Sequence, residues 1–168
     1  MTIRVGDRLP AGILMEMNEV EAPGCPAGPV SLKVEEQAKG RRIVIFGLPG
    51  AFTPTCSGKH VPGYVALHER LRERGVDEVW CLSVNDAFVM GAWGRDQKAA
   101  GKVRMLADGN ADYTRALGLE LDLSGRGMGV RSQRYSMLVE DGVVRRLNLE
   151  QPGKFEVSGA ESMLGQLA

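Results

Sequence analysis

The chain lacks the sequence features of membrane, secreted and nucleic-acid-binding proteins. No hydrophobic run approaches the roughly 18 residues that cross a bilayer. Residues 1–7 show neither the apolar core of a signal peptide nor the Arg- and Ser-rich composition of a transit peptide. Basic and acidic residues balance at 21 each, so no overall field attracts nucleic acid or an anionic membrane. We therefore expect a cytoplasmic protein with no nucleic-acid or membrane partner.

Cysteine and histidine are also scarce. The three cysteines, Cys25, Cys56 and Cys81, are odd in number and irregularly spaced, which is typical of a reducing compartment rather than of a disulfide framework. Together with only two histidines, they give no paired spacing of metal ligands. We expect neither a metal site nor a bound cofactor.

What is present is an ordinary globular composition in which strands alternate with helices. With 168 residues, of which 43% are hydrophobic and 25% charged, the chain is predicted to form a single domain over residues 1–168. Strands are predicted at 13–17, 43–47, 76–84, 103–106, 135–139 and 143–149, and helices at 31–37, 53–74, 86–100, 110–117 and from 158 onward. The last two strands are predicted to form a hairpin through the Asp141-Gly142 turn. Ser31 is expected to cap the first helix, and Pro62 to kink the second near its start. Pro- and Gly-rich residues 19–30 and 120–130 are predicted to be loops. This order predicts an α/β chain with a thioredoxin-like fold, a central mixed β-sheet flanked by helices on both faces.

The most informative stretch is the turn after the strand at 43–47. Thr53 offers a hydroxyl at the N-cap position of the next helix, and Pro54 a proline at its first position. Cys56 then falls in the first turn, where free N–H groups and the helix macrodipole favour the anionic form of a thiol. Functional sites of open α/β sheets lie beyond the carboxyl ends of the strands, where this turn falls. Cys56 is therefore a candidate nucleophile, with a small core side chain as the alternative.

The neighbours of Cys56 leave three kinds of chemistry open. A thioredoxin-type dithiol needs a second cysteine where Thr53 stands, which favours a single thiolate that attacks a small substrate. His60, four residues later on the same helical face, permits a Cys–His hydrolase, although no orienting Asn or Asp is evident. A redox sensor or chaperone-like binding protein, switched by oxidation of Cys56, is the third possibility.

A family resemblance favours the first of these. Pro49-Gly-Ala-Phe-Thr-Pro-Thr-Cys56 resembles the Pro-x-x-x-Thr-x-x-Cys signature of the peroxiredoxins. With Phe46 and Gly47 before it and His60-Val-Pro-Gly-Tyr64 after it, the stretch resembles the type II, or peroxiredoxin-five, subgroup. Further matching segments follow in collinear order: 81–88, 93–94, 101–104, 106–108, 134–137 and 141–143.

The resemblance implies a thiol peroxidase for hydrogen peroxide and alkyl hydroperoxides, with one role for each matching residue. Cys56 would be the peroxidatic cysteine, which becomes a sulfenic acid. Thr53 would hydrogen-bond the peroxide, while Pro49 and Pro54 would shape the pocket and shield the thiolate from water. Arg134, directly before an aromatic-Ser-Met run, would stabilise the thiolate and polarise the O–O bond.

Other residues near these motifs have predicted places. Arg131 competes with Arg134 as the pocket arginine, and we expect it to be an exposed loop cation instead. His60 is expected to tune the surroundings of the pocket. Phe52 and Phe88 are expected to line the pocket mouth or a subunit contact, since type II members resemble one another in forming homodimers.

The resemblance also bears on how a sulfenic acid would be reduced. The region before the C-terminal helix, residues 153–160, contains no cysteine of the kind that some members use for resolution. Cys81 and Cys25 are the remaining candidates, and we expect Cys81 to be a core residue and Cys25 to be incidental. The favoured interpretation is a one-Cys enzyme that is recycled in trans by glutathione with glutaredoxin, or by thioredoxin.

Overall fold

A computed structural model describes residues 1–24 and 26–167 of the chain. The strands are, in chain order, β1 Ile13–Asn18, β2 Gly28–Lys33, β3 Arg42–Leu48, β4 Glu78–Ser83, β5 Arg104–Ala107, β6 Glu120–Asp122, β7 Val130–Ser132, β8 Tyr135–Glu140 and β9 Val143–Leu149. The helices are α1 Val34–Gln37, α2 Val61–Glu73, α3 Ala87–Asp96, α4 Asp112–Leu117 and α5 Ala160–Gln166. A π-helical turn, Cys56–His60, leads directly into α2, and a 3-10 turn, Ser124–Arg126, joins β6 to β7.

The main sheet has seven strands in the order β2-β1-β5-β4-β3-β8-β9. Strand β4 pairs in parallel with both β3 and β5, whereas the other neighbours in the sheet are antiparallel. The predicted α/β class and thioredoxin-like fold, with a central mixed sheet between helices, are confirmed. The prediction that residues 1–168 form a single domain stays a prediction.

Strand β3 lies at the centre of two apolar cores, one on each face of the sheet. Ile43 and Ile45 pack in a cluster with side chains of α1 and α4. Val44 and Phe46, which point the other way, pack in a second cluster with side chains of α2, α3 and α5. Each of these four side chains is at most 3% exposed, and burial of such a side chain contributes on the order of 2 kcal/mol. The strand that leads into the Cys56 turn is therefore anchored on both faces.

The hairpin predicted near the C-terminus is confirmed. Strands β8 and β9 are joined at Asp141 and Gly142, whose φ angles of 48° and 79° suit the tight turn that the Asp-Gly pair predicts. Because β8 is the direct neighbour of β3, this hairpin brings the start of β8 beside the end of β3.

The predicted loop at 19–30 is wrong for residues 28–30, and the predicted helix cap at Ser31 is wrong. Strand β2 begins at Gly28 and includes Ser31, which pairs with Met15 of β1. Pro29 is tolerated in β2 because β2 is an edge strand. An edge strand has no neighbour on its outer side, so a missing N–H there breaks no hydrogen bond between strands. Helix α1 starts only after Lys33 and has no side-chain cap.

The predicted loop at 120–130 is also wrong in part. Strands β6 and β7 form a separate two-stranded antiparallel ribbon of three residues each. Gly127 and Gly129, with φ angles of 71° and 68°, permit the tight connection between the two strands. The ribbon leads the chain into Arg134 and β8.

Among residues 1–24 and 26–167, no helix combines the length and apolar character that a membrane crossing requires. Over the same residues, no group of three or more His, Cys, Asp or Glu side chains is arranged to hold a metal ion.

Candidate active site

The turn after β3 begins the helical segment where the sequence predicts it. Helical backbone starts at Pro54, and Thr53 directly precedes it. The Thr53 hydroxyl points back and donates to the carbonyl oxygen of Gly50 at 2.7 Å, so it closes the turn rather than capping the helix. Phe52 has a φ angle of 62°, a left-handed conformation that a bulky residue rarely adopts. Such backbone persists only where neighbouring structure enforces it.

Part of that enforcement comes from Asn85, which follows β4. The Asn85 side-chain oxygen accepts from the backbone N–H of Ala51 at 3.0 Å and from the Ser83 hydroxyl at 2.6 Å. The end of β4 therefore holds the turn that follows β3, its parallel neighbour in the sheet.

Cys56 is the first residue of the π-helical turn and is fully buried. The N–H of Val61 bonds to the carbonyl of Cys56, five residues back, as a π-helical turn requires. The irregularity expected from Pro62 is thus a π-helical turn just before it, and Pro62 itself lies in the first turn of α2, where its missing N–H is tolerated.

Arg134 reaches Cys56 from the start of β8. Its Nη2 donates to Cys56 Sγ at 3.2 Å, which is the contact predicted for the pocket arginine. The next residue, Tyr135, pairs with Gly47 of β3, and a Cβ at position 47 would lie 2.2 Å from the Tyr135 ring. Only glycine at position 47 therefore leaves room for that ring beside β3.

His60 lies beside this pair, in an aromatic enclosure. Its ring centroid is 4.8 Å from Phe46, 5.8 Å from Tyr64 and 5.0 Å from Phe155. Its Nδ1 accepts from Arg134 Nη1 at 2.8 Å, and its Nε2 donates to the carbonyl of Ser158 at 3.1 Å.

The hydrogen bonds of His60 decide against a Cys–His hydrolase. Both ring nitrogens are engaged, so neither is free to take a proton from Cys56. Burial of the ring, and then the charge of Arg134, lower the pKa of His60 from 6.5 to about 3. The ring is therefore neutral at physiological pH and serves to hold the arginine.

Comparison with known proteins identifies the family. The Redoxin family model matches residues 4–164 of the chain. Peroxiredoxin-2B of Arabidopsis thaliana is 45% identical over 165 residues, which cover 98% of each protein. This chain is a type II peroxiredoxin. It is therefore a thiol peroxidase, an enzyme that reduces peroxides with electrons from a thiol reductant.

Solved structures agree with this assignment. Reduced Prx3 from Vibrio vulnificus in complex with H2O2 is 47% identical, with a TM-score of 0.91 over 99% of this chain and 100% of that one. A Burkholderia cenocepacia structure that bears the name thioredoxin reductase is 60% identical, with a TM-score of 0.98 over 100% of this chain and 99% of that one. That name describes the Burkholderia protein alone.

Arg131 of this peroxiredoxin is not the exposed loop cation that the sequence predicts. The residue is half-buried, and its guanidinium donates to the carbonyls of Met128 at 2.9 Å and Pro49 at 3.4 Å. A Cβ on Gly50 would lie only 2.8 Å from Arg131 Nη1, so this glycine admits the guanidinium against the turn. Arg134 thus contacts the sulfur, whereas Arg131 contacts the turn.

The remaining predicted pocket residues surround the turn to different degrees. Pro49 is half-buried, and Pro54 is exposed at the start of the helix. Phe52 is 54% exposed, with its ring centroid 6.3 Å from that of Trp93 in α3. Phe88, also on α3, is 66% exposed. Their predicted roles in shaping the pocket or a subunit contact stay predictions.

Of the two candidate resolving cysteines, Cys25 lies outside the described residues. Cys81 is fully buried on β4, in the same apolar cluster as Cys56. Burial raises the pKa of the Cys81 thiol well above its usual value, and the charge of Cys56 raises it further. The charge of Arg134 lowers this pKa, but by less. Cys81 is therefore held as a neutral thiol inside the core, as the sequence predicts for a core residue.

Several residues that shape this peroxiredoxin site were missed by sequence reasoning. Asn85 lies in a segment that matches the family, so a signal for it was available. Phe155, Ser158 and Glu150 carry no signal, because their relation to His60 arises only when the C-terminal segment folds back on α2.

The neutral state of His60 predicts how folding stability depends on pH. Below about pH 6.5, His60 is protonated in the unfolded chain, whereas in the folded chain it stays neutral down to about pH 3. Stability is therefore lost as the pH falls through this window, by about 3 kcal/mol at about pH 4. Urea denaturation of the wild type and His60→Asn, at about pH 7 and about pH 4, measures the difference. Equal losses in both proteins would show that His60 does not carry the effect.

Proposed function

We propose that Cys56 is the peroxidatic nucleophile and that it reduces hydrogen peroxide and alkyl hydroperoxides. The observation that carries the proposal is the hydrogen bond of 3.2 Å from Arg134 Nη2 to Cys56 Sγ. A permanently charged guanidinium at that distance stabilises a thiolate and leaves the sulfur lone pairs available for attack. The 47% identity to a Vibrio vulnificus protein solved with bound H2O2 supports the smallest peroxide as a substrate.

The proposed reaction is a two-electron oxidation of sulfur. The thiolate of Cys56 attacks the terminal peroxide oxygen, so that an S–O bond forms as the O–O bond breaks. Cys56 becomes a sulfenic acid, and the leaving oxygen takes a proton and departs as water or an alcohol. Arg134 can donate to the sulfur and to the departing oxygen together, which lowers the cost of the charge that moves between them.

Thr53 is proposed to orient the peroxide. Its hydroxyl proton is already committed to the carbonyl of Gly50, at 2.7 Å. The hydroxyl oxygen keeps acceptor capacity, so it can receive a hydrogen bond from the peroxide O–H. Pro49 and Pro54 border the turn on its two sides and are proposed to limit the access of water to the sulfur.

We further propose that resolution comes from a thiol supplied in trans, by glutathione with glutaredoxin or by thioredoxin. A resolving thiol attacks as its thiolate, and the buried, neutral Cys81 is poorly suited to that role. Cys56 itself is 0% exposed, so a reductant reaches its sulfur only after the first helical turn opens.

One mass measurement tests both the site of oxidation and the route of recycling. The protein is treated with one equivalent of hydrogen peroxide, with and without glutathione, and its intact mass and peptides are analysed. We expect one added oxygen on Cys56 without glutathione, and one glutathione on Cys56 with it. The same products are expected from Cys81→Ala and Cys25→Ser. A rapid internal disulfide that either variant abolishes would contradict resolution in trans.

We propose that the enzyme is a homodimer formed around the active-site turn. Phe52 lies on the turn and Phe88 lies on α3, and each side chain exposes more than half of its surface. Aromatic side chains that share one region of a surface are typical of the core of a protein interface.

Charge balance and the absence of a disulfide pattern support a cytoplasmic location, which stays a prediction.

A single substitution tests the dimer. Phe88→Glu places a charge where we expect an apolar contact, and we expect the variant to sediment as a monomer at concentrations where the wild type is a dimer. Val5→Glu is the matched control, because Val5 is also exposed, at 59%, but lies in the N-terminal segment. A wild type that sediments as a monomer, or a dimer that both variants leave intact, would contradict the proposed contact.

A further inference from the structure

Behind the active site lies a buried carboxylate, that of Glu150, which follows β9 and is only 7% exposed. Its Oε2 accepts from the backbone N–H groups of Glu156, Val157 and Ser158, each at 2.8 Å, and from the Ser158 hydroxyl at 2.7 Å. Burial alone would raise the pKa of Glu150, but these hydrogen bonds outweigh it and lower the pKa. Three consecutive N–H groups that converge on one ionised oxygen fix the backbone of residues 156–158.

The segment that Glu150 fixes sets the protonation of His60. The carbonyl oxygen of Ser158 accepts from His60 Nε2 at 3.1 Å and from the Tyr64 hydroxyl at 2.8 Å. Because a carbonyl can only accept, the His60 proton must lie on Nε2. The lone pair on Nδ1 then faces Arg134 Nη1, at 2.8 Å.

Glu150 also holds the other end of the same arginine. Its backbone N–H donates to the carbonyl of Arg134 at 3.0 Å. One residue thus constrains both the main chain of Arg134 and, through Ser158 and His60, its guanidinium. The second donor of that guanidinium, Nη2, is the one that contacts Cys56.

We propose that Glu150 is a positioning residue for the attack of Cys56 on peroxide. It acts through Ser158 and His60 to hold the guanidinium of Arg134 against the sulfur, and it contacts neither the sulfur nor the substrate. The proposal rests on the proposed roles of Cys56 and Arg134.

The direction in which the midpoint of the pH–rate profile moves when Glu150 is replaced separates positioning from a simple charge effect. The negative charge of Glu150 by itself disfavours a second negative charge on Cys56, so its removal alone would favour the thiolate. If Glu150 instead positions Arg134, its removal weakens the contact from the guanidinium and disfavours the thiolate. A purely structural role changes the unfolding midpoint and leaves the thiolate unchanged in the molecules that remain folded.

The test measures peroxide consumption by Glu150→Gln as a function of pH, by stopped flow, with rates expressed per folded molecule. We expect a rate about 10-fold lower at neutral pH, the size of effect seen when a group that orients a ligand is removed. We expect the midpoint of the pH–rate profile to move upward by about one unit. A midpoint that is unchanged or moves downward would overturn the proposal. Glu150→Asp, which keeps the charge but withdraws the carboxylate from residues 156–158, is measured in the same way and also covers the case in which Glu150→Gln does not fold.

Two further variants complete the design. Asp108→Asn is the matched control, because Asp108 is also buried and holds two backbone N–H groups, those of Tyr113 and Thr114, but at α4 on the other face of the sheet. It should lower stability without moving the pH–rate midpoint. Combining Glu150→Gln with His60→Asn should cost little more than His60→Asn alone, because the two act in series; additive losses would contradict action through His60.

The failure of this inference can be told apart from the failure of the proposed function. A wild-type profile for Glu150→Gln, together with an inactive Cys56→Ser, would refute only the positioning role. An active Cys56→Ser would refute the role of Cys56 whatever Glu150 does.

Discussion

Replacement of Cys56 by serine is expected to lower the rate of peroxide consumption by at least about four orders of magnitude. Serine has the same branching as cysteine and is only slightly smaller, so the packing of this fully buried position should change little. The hydroxyl, however, is not ionised near neutral pH and cannot be oxidised to a sulfenic acid, so the first chemical step is lost. Stopped-flow measurement with stoichiometric hydrogen peroxide gives the rate directly.

The matched control for this prediction is Cys81→Ala. Cys81 belongs to the same apolar cluster and is equally buried, but it carries a neutral thiol. We expect Cys81→Ala to lose some stability to the small cavity and to keep a rate within about threefold of the wild type. A Cys56→Ser protein that consumes peroxide as fast as the wild type would refute the proposed nucleophile.

Replacement of Arg134 by methionine is expected to slow peroxide reduction by about 10²- to 10³-fold, the usual effect of removing one donor that stabilises charge in a transition state. Methionine fills much of the same volume without a charge. It removes the donor to Cys56 Sγ and the donor to His60 Nδ1 together. Because the thiolate loses its partner, the midpoint of the pH–rate profile should also rise.

Arg131→Met is the matched control for Arg134→Met. Arg131 is a half-buried arginine only three residues away, and its guanidinium supports the turn through the carbonyl of Pro49. We expect this variant to lose about 10-fold or less in rate and to keep the midpoint of its pH–rate profile. Arg134→Lys, which retains a charge but not the fork of two donors, should fall between the wild type and Arg134→Met. Equal effects of Arg131→Met and Arg134→Met would contradict the assignment of Arg134 to the sulfur.

The sequence was a reliable guide where structure is set by neighbours along the chain. The apolar run 43–47, the Asp141-Gly142 turn and the start of a helix at Pro54 are local signals, and each is found where it was predicted. The errors in secondary structure concern short strands that exist only because they pair with another strand. Strand β2 is stabilised by pairing with β1 at the sheet edge, and β6 by pairing with β7, which local composition does not reveal.

The active site likewise has parts that local sequence determines and parts that depend on tertiary contacts. The sequence by itself determined the placement of a single cysteine at a helix start after a buried strand, with Thr53 where a second thiol would stand. The motif match predicted Arg134 rather than Arg131 as the pocket arginine, and the contacts that each guanidinium makes depend on the tertiary structure. Pairing of β8 with β3 points Arg134 at the sulfur, while the β6–β7 ribbon turns Arg131 toward the carbonyl of Pro49.

The parts of the site that carry no signal in the sequence are those that lie farthest from Cys56 along the chain. Glu150 and Ser158 follow Cys56 by more than 90 residues and reach the site because α5 and the segment before it pack against α2. A local pattern fixes which residue carries the thiol, since backbone N–H groups at a helix start come from adjacent residues. The orientation of the groups around that thiol depends on hydrogen bonds between segments that meet only in the folded chain, and so it was decided by the tertiary structure alone.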